Sequence, residues 1–158
     1  MPDGLYERDI LIWSEEQARL LQRLAAGEPG VNAAVDWPNL IEEVQDVGLS
    51  LLKACESRLR QAMVHLLKLH AWPSSRSAGH WRSETLGFLA DARSRYSPSM
   101  RQRLDLDGIY RLAVRQVLVI TDDSGEPRAH PAQCPFTWDD LLGDDPDIHA
   151  LTARLATA

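Results

Sequence analysis

The feature that most restricts the fold of this chain is a long apolar stripe between residues 37 and 72. Its members recur at steps of three and four residues, which places their side chains on one face of an α-helix. No proline follows Pro38 until Pro73, so nothing forces the helix to end earlier. The pattern predicts one helix of about 34 residues, roughly 50 Å long, whose apolar face is covered by the other helices. The stripe consists of Leu40, Ile41, Val44, Val47, Gly48, Leu51, Leu52, Cys55, Leu59, Ala62, Met63 and Leu66.

Shorter helical patterns flank this segment on both sides. Apolar residues at the same spacing predict helices at about residues 4–26, 80–96 and 98–121, the last with a bend near Asp107–Gly108. Residues 117–121 could form a short strand by themselves, but the sequence contains no second strand to pair with them. We therefore assign them to the end of the third of these helices.

The last part of the chain predicts smaller elements. A connector with three prolines between residues 127 and 135 is followed by short helical segments at 137–142 and 146–153. The sequence therefore predicts an all-α fold, a three- to four-helix bundle around the long central helix with short C-terminal helices. We expect a single helical domain over residues 1–143 and a short helical tail over 144–158.

Composition favours an ordinary globular protein. The chain has 158 residues, of which 44% are hydrophobic and 25% charged, which is too apolar for disorder. It contains no run of 18 apolar residues and no signal-peptide pattern at its start, so we expect a cytoplasmic protein without a membrane partner. Cys55 and Cys134 are the only cysteines, too few for a disulfide framework or a paired zinc motif.

The net charge of −6 conceals three blocks of charge along the chain. Residues 1–52 carry 10 acidic and three basic residues, residues 53–103 carry three acidic and 10 basic residues, and residues 104–158 carry 10 acidic and four basic residues. In one interpretation the acidic blocks fold against the basic one and neutralise it. In the other, an exposed basic face binds nucleic acid or an acidic protein.

The first turns of the long helix contain three acidic residues, Glu42, Glu43 and Asp46. Their spacing places them on one flank, roughly 120° to 180° from the middle of the apolar stripe. They can be solvated carboxylates that the helix dipole favours, or an anchor for arginines of the middle block. A third interpretation is a site where they share a divalent cation or act as acid and base.

Two histidines and a lysine near the end of the long helix are further polar candidates. His65 and His70 are five residues apart, so their side chains differ in direction by about 140° and cannot easily hold one ion. His65 is also roughly 33 Å along the helix from Glu43. We interpret His65, beside Lys68, as a boundary residue that contacts a neighbouring helix; completion of a metal site by His80 is the alternative.

The basic segment 68–103 is the candidate surface for nucleic acid. Arginine side chains with an aromatic neighbour such as Trp81 suit phosphates and stacked bases. However, the chain has no recognised nucleic-acid-binding motif, and its isoelectric point of about 5.3 argues against strong non-specific binding. The candidate residues are Arg76, Arg82, Arg93, Arg95, Arg101 and Arg103.

Several segments together resemble one known family. Residues 36–48, DWPNLIEEVQDVG, look like its hallmark, and residues 5–9, LYERD, are similar to its opening. His65–Lys68 and the segment 131–137, PAQCPFT, resemble later landmarks in the same order. On these residues the chain resembles the bacterial domain-of-unknown-function family twenty-nine over nearly its whole length. The resemblance implies an all-α fold and bacterial occurrence, but it implies no activity.

The motifs of enzymes and cofactor sites are missing from the sequence. It contains no glycine-rich phosphate loop, no nucleophile elbow and no HExxH motif, so we expect no cofactor. The leading hypothesis is a non-enzymatic protein-interaction or regulatory module that binds a protein partner or a second copy of itself. The alternatives are a nucleic-acid-associated regulator that uses segment 68–103 and a metal-dependent hydrolase built around Glu42, Glu43 and Asp46.

Overall fold

The computed structural model describes Gly4, Tyr6 and residues 10–120 and 125–156, with the side chains of residues 10–15 left aside. No strand occurs in these residues, which confirms the all-α prediction. The start of the predicted first helix, at residues 5 and 7–9, lies outside the described part. The helices are α1 (Ile10–Ala25), α2 (Trp37–Ala71), α3 (Ala78–Arg95), α4 (Leu106–Leu118), α5 (Trp138–Leu142) and α6 (Ile148–Arg154).

The long central helix is confirmed as one element. α2 contains 35 residues, and it ends at Ala71, two residues before Pro73, because the residue before a proline is biased away from helical geometry. None of the helices in the described part of the chain has the length and hydrophobicity needed to cross a lipid bilayer.

Two compact units divide the chain, Met1–Leu49 and Ser50–Ala158. In the first unit, α1 is followed by a 3₁₀ turn at Val31–Ala34 and by the start of α2. The side chain of Gln17 is buried, and its Oε1 accepts a hydrogen bond from the backbone N–H of Asp36 at 2.8 Å. This bond fixes the backbone at the residue that precedes α2.

The second unit contains the main hydrophobic core. The later part of α2 contributes Cys55, Leu59, Ala62, Met63 and Leu66 to it, all fully buried. These five residues follow the predicted stripe, so the spacing of three and four residues does place the core face of the helix here.

A proline-rich connector runs past the C-terminal end of α2 and is held by hydrogen bonds to its backbone carbonyls. Trp72 Nε1 donates to the carbonyl of Gly125 at 2.8 Å, and a ring nitrogen of His70 lies 2.6 Å from the carbonyl oxygen of Ala129. From α4, the Tyr110 hydroxyl donates to the carbonyl of Pro131 at 2.9 Å. These side chains contact backbone carbonyls of the connector, which would be paired with a neighbouring strand if the segment belonged to a sheet.

The predicted helix at 98–121 is wrong in its continuity. The chain instead forms a 3₁₀ turn at Pro98–Gln102 and begins α4 at Leu106, so the interruption precedes the expected bend at Asp107–Gly108. Met100 and Leu104 are both buried, and the backbone becomes extended at Asp105. Asp105 occupies the N-cap position of α4, where aspartate is one of the favoured residues, so a helix start at this point is compatible with the sequence.

The two C-terminal helices pack against α3. Thr137 begins α5 with a capping box, in which its side chain accepts from the N–H of Asp140 while the Asp140 carboxylate accepts from the N–H of Thr137. Leu151 and Leu155 of the last segment are buried in the core of the second unit. The domain boundary after residue 143 stays a prediction.

The prediction that the apolar stripe is covered along its whole length is wrong for its first part. Ile41, Val44 and Val47 are exposed to 54%, 67% and 61%. In this part of α2, Leu40 and Glu43 are half-buried, but they lie on a flank roughly 100° around the helix from Ile41 and Val44. The burial in the first unit therefore falls beside the stripe and leaves its middle in solvent.

Candidate functional site

The acidic residues at the start of α2 do not share one environment. Glu42 and Asp46 are exposed, whereas Glu43 is half-buried and its Oε1 accepts a hydrogen bond from the Tyr6 hydroxyl at 2.7 Å. This hydrogen bond to a carboxylate, together with the neighbouring negative charges, raises the pKa of Tyr6 to about 12. Tyr6 is therefore a permanent donor at neutral pH, and Glu43 is a structural acceptor in the first unit.

Metal chemistry finds no support in this arrangement. Within residues 10–120 and 125–156, together with Gly4 and Tyr6, no three histidine, cysteine, aspartate or glutamate side chains are arranged to hold a metal ion. The interpretation of Glu42, Glu43 and Asp46 as a cation site is therefore supported by their sequence spacing alone, because these carboxylates do not converge as metal ligands.

His65 and His80 lie on either side of one carboxylate. His65 Nε2 is 3.0 Å from Glu84 Oε2, and His80 Nε2 is 3.3 Å from Glu84 Oε1. α2 positions His65, while α3 positions His80 and Glu84 one turn apart. The structure therefore places the boundary histidine against a neighbouring helix and brings His80 to the same partner.

The surroundings of this cluster favour a neutral His65. Its ring stacks on Phe88 with centroids 5.4 Å apart. Burial and, second, the charge of Lys68 lower the pKa of His65 below its ordinary value, against an opposing effect of Glu84. Lys68 itself lies over the Trp81 ring, 4.4 Å from the centroid, which is the geometry of a cation–π contact. These contacts join α2 to α3.

Glu84 is the member of this cluster that sequence reasoning missed. The signal was present, because Glu84 follows His80 by four residues and side chains at that spacing meet on a helix. Its second partner, His65, belongs to a different helix, and no pattern within one helix could indicate that contact.

The arginines of segment 68–103 are divided between ion pairs and open surface. Arg93 pairs with Asp144, and Arg95 Nη1 lies 3.8 Å from Asp91. Asp91 is also paired with Arg58. Of these pairs, Arg93–Asp144 joins the basic block to the acidic block 104–158, whereas Asp91, Arg95 and Arg58 all belong to the basic block. The remaining candidates are exposed. These are Arg76, Arg82, Arg101 and Arg103.

Neither a cavity along α4 nor the thiol of Cys134 has the properties of a catalytic site. The cavity, of about 740 Å³, is an open groove along α4 beside Tyr110 and His130. Burial raises the pKa of Tyr110 to about 12, so its hydroxyl remains a donor. Burial likewise raises the pKa of Cys134 to about 11, which leaves that thiol protonated and unreactive at neutral pH.

The most distinctive surface of the described residues is apolar. Trp37, Ile41, Val44 and Gly48 follow one another at steps of four, three and four residues on α2, and we call them the N-terminal apolar face. Trp37 is exposed to 37%, while its Nε1 donates to the carbonyl of Asn32 at 3.1 Å. A Cβ built on Gly48 would meet no atom within 4 Å. All four residues lie within roughly 60° of one another around the helix.

Comparison with known proteins gives a family and a fold. The chain matches no curated protein. It is similar to an alpha-helical protein of unknown function from Rhodospirillum rubrum, whose crystal structure superposes with a TM-score of 0.72 at 29% sequence identity. The match covers 95% of this chain and 96% of that one. Residues 5–145 match the family described as domain of unknown function DUF29, and the chain belongs to this family.

Proposed function

We propose that this domain is a non-enzymatic protein-interaction module whose contact surface is the N-terminal apolar face. The observation that carries the proposal is the exposure of Ile41 and Val44 on a regular helix whose later turns use the same apolar repeat to form a core. Each large apolar side chain left in water forgoes about 1.5–3 kcal/mol of burial free energy. A contiguous group of them is typical of a surface that is covered in a complex.

The geometry of the rest of the molecule supports association more than catalysis. The Glu43 carboxylate accepts from Tyr6, and Glu84 lies between two histidines, so these two half-buried carboxylates already have partners. The exposed acidic residues, Glu42 and Asp46, lie on the opposite side of α2 from the apolar face. A partner can therefore cover this face without burying an unpaired charge, which is the most costly group to desolvate.

The test compares two glutamate substitutions at exposed apolar positions. Val44→Glu places a charge in the middle of the face, and Leu86→Glu places one on α3, where Leu86 is exposed to 46%. The full chain and both variants are immobilised and exposed to a lysate of the cells in which the protein naturally occurs. We expect the parent and Leu86→Glu to retain the same protein and Val44→Glu to lose it.

Circular dichroism serves as the control for folding, since neither position is buried and both variants should keep the helical content of the parent. The proposal predicts an association, with another protein or with a second copy of the chain, that Val44→Glu removes and Leu86→Glu leaves intact. If no such association is found, the proposal is wrong.

A further inference from the structure

We infer that the second unit binds a small amphipathic carboxylate. The apolar part of this ligand lies in a pocket at the C-terminal end of α2, and its carboxylate lies in the groove along α4. All residues of the site belong to the second unit. The site does not use the N-terminal apolar face, so the inference is independent of the proposed function.

The first observation is an apolar pocket of about 290 Å³ between the end of α2, the end of α4 and the proline-rich connector. An apolar protein cavity of about 150 Å³ stays dry and binds benzene. A pocket about twice that size therefore has room for an apolar group of roughly ten carbon atoms. One wall consists of Leu67, Ala71, Val114, Val117, Leu118 and Ile120.

The connector forms the opposite wall and is held in place by hydrogen bonds. The N–H of Arg128 donates to the carbonyl of Ala71 at 3.3 Å, and His70 contacts the carbonyl oxygen of Ala129 at 2.6 Å. The apolar side chains that this wall contributes are those of Pro127 and Ala129, and both are small. The connector is thus fixed beside the helices without filling the space between them.

Leu118 shows that this pocket is incompletely covered. Its side chain lines the pocket and is nevertheless exposed to 69%. The four residues that follow Ile120 in the sequence have polar side chains, so they supply no large apolar group for the pocket. An apolar ligand in the pocket would remove Leu118 from water, which is favourable in proportion to the area that it covers.

The groove of about 740 Å³ along α4 adjoins this pocket, because Val114 and His130 line both. Around the axis of α4, Arg111 lies roughly 60° and Arg115 roughly 100° from Val114, on the same side as Leu118. Like charges four residues apart on a helix repel each other. An anion bound beside the pocket would relieve this repulsion.

The charges of the lining favour an anion over a cation. Asp105 Oδ2 lies 3.7 Å from Arg111 Nη2, and both side chains are mostly exposed, so this carboxylate offsets Arg111 only in part. The pocket and the groove together are lined by four guanidinium groups and two carboxylates. These are Arg103, Arg111, Arg115 and Arg128, and Glu56 and Asp105. The apolar pocket and the basic groove therefore suit the two ends of an amphipathic carboxylate.

The probe is octanoate, titrated into the full chain and followed by NMR chemical shifts of the backbone amides. We expect saturable binding with a Kd below about 1 mM and shift changes at Leu67, Ala71 and Val117. Acetate lacks the apolar part and should not bind in this range, and 1-octanol lacks the charge and should bind more weakly. The inference is wrong if octanoate does not saturate these shifts or if acetate reproduces them.

Two neighbouring glutamate substitutions test the pocket. Leu118→Glu places a charge in its lining and should weaken octanoate binding at least tenfold. Val119→Glu adds the same charge at the next residue, which is exposed to 82% and belongs to neither lining, and it should change the Kd less than twofold. Circular dichroism verifies that both variants keep the helical content of the parent. Equal Kd values for the two variants would place the ligand elsewhere and overturn the assignment.

A second pair of variants tests the charged end. Arg115→Gln should weaken octanoate binding about two- to fivefold, as expected for an exposed ion pair, and should leave binding of 1-octanol unchanged. Arg101→Gln removes an exposed arginine that lines neither cavity and should affect neither ligand. If octanoate and 1-octanol bind equally well and respond equally to Arg115→Gln, the groove does not hold the carboxylate and the inference is overturned.

Discussion

The two parts of α2 carry one apolar repeat in different surroundings. In the later part, Cys55, Leu59 and Leu66 are fully buried in the core of the second unit. In the earlier part, Ile41 and Val44 occupy the same face of the helix and are more than half exposed. A hydrophobic repeat therefore identifies the face of a helix that will be covered, but the covering surface need not belong to the same molecule.

The largest expected difference between the two parts concerns side-chain truncation. Leu59→Ala removes a fully buried side chain and should lower the free energy of unfolding by about 2–5 kcal/mol. Ile41→Ala, at an exposed position on the same face, should lower it by less than about 1 kcal/mol. Urea unfolding followed by circular dichroism, at a protein concentration where sedimentation shows a monomer, measures both changes.

Equal losses of unfolding free energy in Leu59→Ala and Ile41→Ala would contradict the difference between the two parts of α2, because they would mean that the earlier part is buried within the monomer. A loss of unfolding free energy in Ile41→Ala that grows with protein concentration would instead support this difference, because that dependence is expected when a second copy stabilises the folded chain.

The regular elements could be predicted because their information is local. The spacing of apolar residues and the position of Pro73 indicated α2 almost to its ends. The break before α4 could not be predicted in this way, because Met100 and Leu104 are buried at a four-residue spacing that a continuous helix would also show. Apolar spacing alone therefore does not locate the residue at which the backbone leaves helical geometry.

The candidate sites show the same limit. Sequence indicated His65 as a polar residue at a helix boundary, but its contact with Glu84 joins two helices and required the packing of α2 on α3. Exposure of Val44 was also beyond the sequence, because the same residues would have been interpreted as core in any helical bundle. The composition of a face cannot tell a core from an interface.

The next difference concerns two tryptophans at opposite ends of α2. Trp72 is buried and its Nε1 donates to the carbonyl of Gly125, whereas Trp37 is exposed and its Nε1 donates to the carbonyl of Asn32. Trp72→Phe should cost about 1–3 kcal/mol, since it leaves a carbonyl without its donor in a partly buried place. Trp37→Phe should cost less than about 1 kcal/mol, because water replaces the lost donor. Thermal unfolding of both variants under identical conditions provides the comparison.

A smaller effect of opposite sign is expected at Gly48. Gly48→Ala should raise the stability of the monomer by up to about 1 kcal/mol, because alanine favours the helix and its Cβ meets nothing. Gly143→Ala is the control after α5, where a Cβ would lie 2.7 Å from the backbone oxygen of Asp139, and it should not stabilise. Destabilisation by Gly48→Ala in dilute solution would show that Gly48 is already in close contact within one chain.

The smallest expected effect is a pH dependence of folding stability that arises from His65, in the later part of α2. Burial and Lys68 lower the pKa of His65 below 6.5, against the effect of Glu84, so the unfolded chain binds a proton at this residue at higher pH than the folded one. Its contribution to stability is therefore complete above about pH 6.5 and is lost as the pH falls toward the lowered value. His65→Gln should flatten the slope of stability against pH between about 5 and 7, whereas His149→Gln, at an exposed position, should leave that slope unchanged. Urea midpoints measured across this range test the difference, and an equal slope in the parent and His65→Gln would mean that protonation of His65 is not coupled to folding.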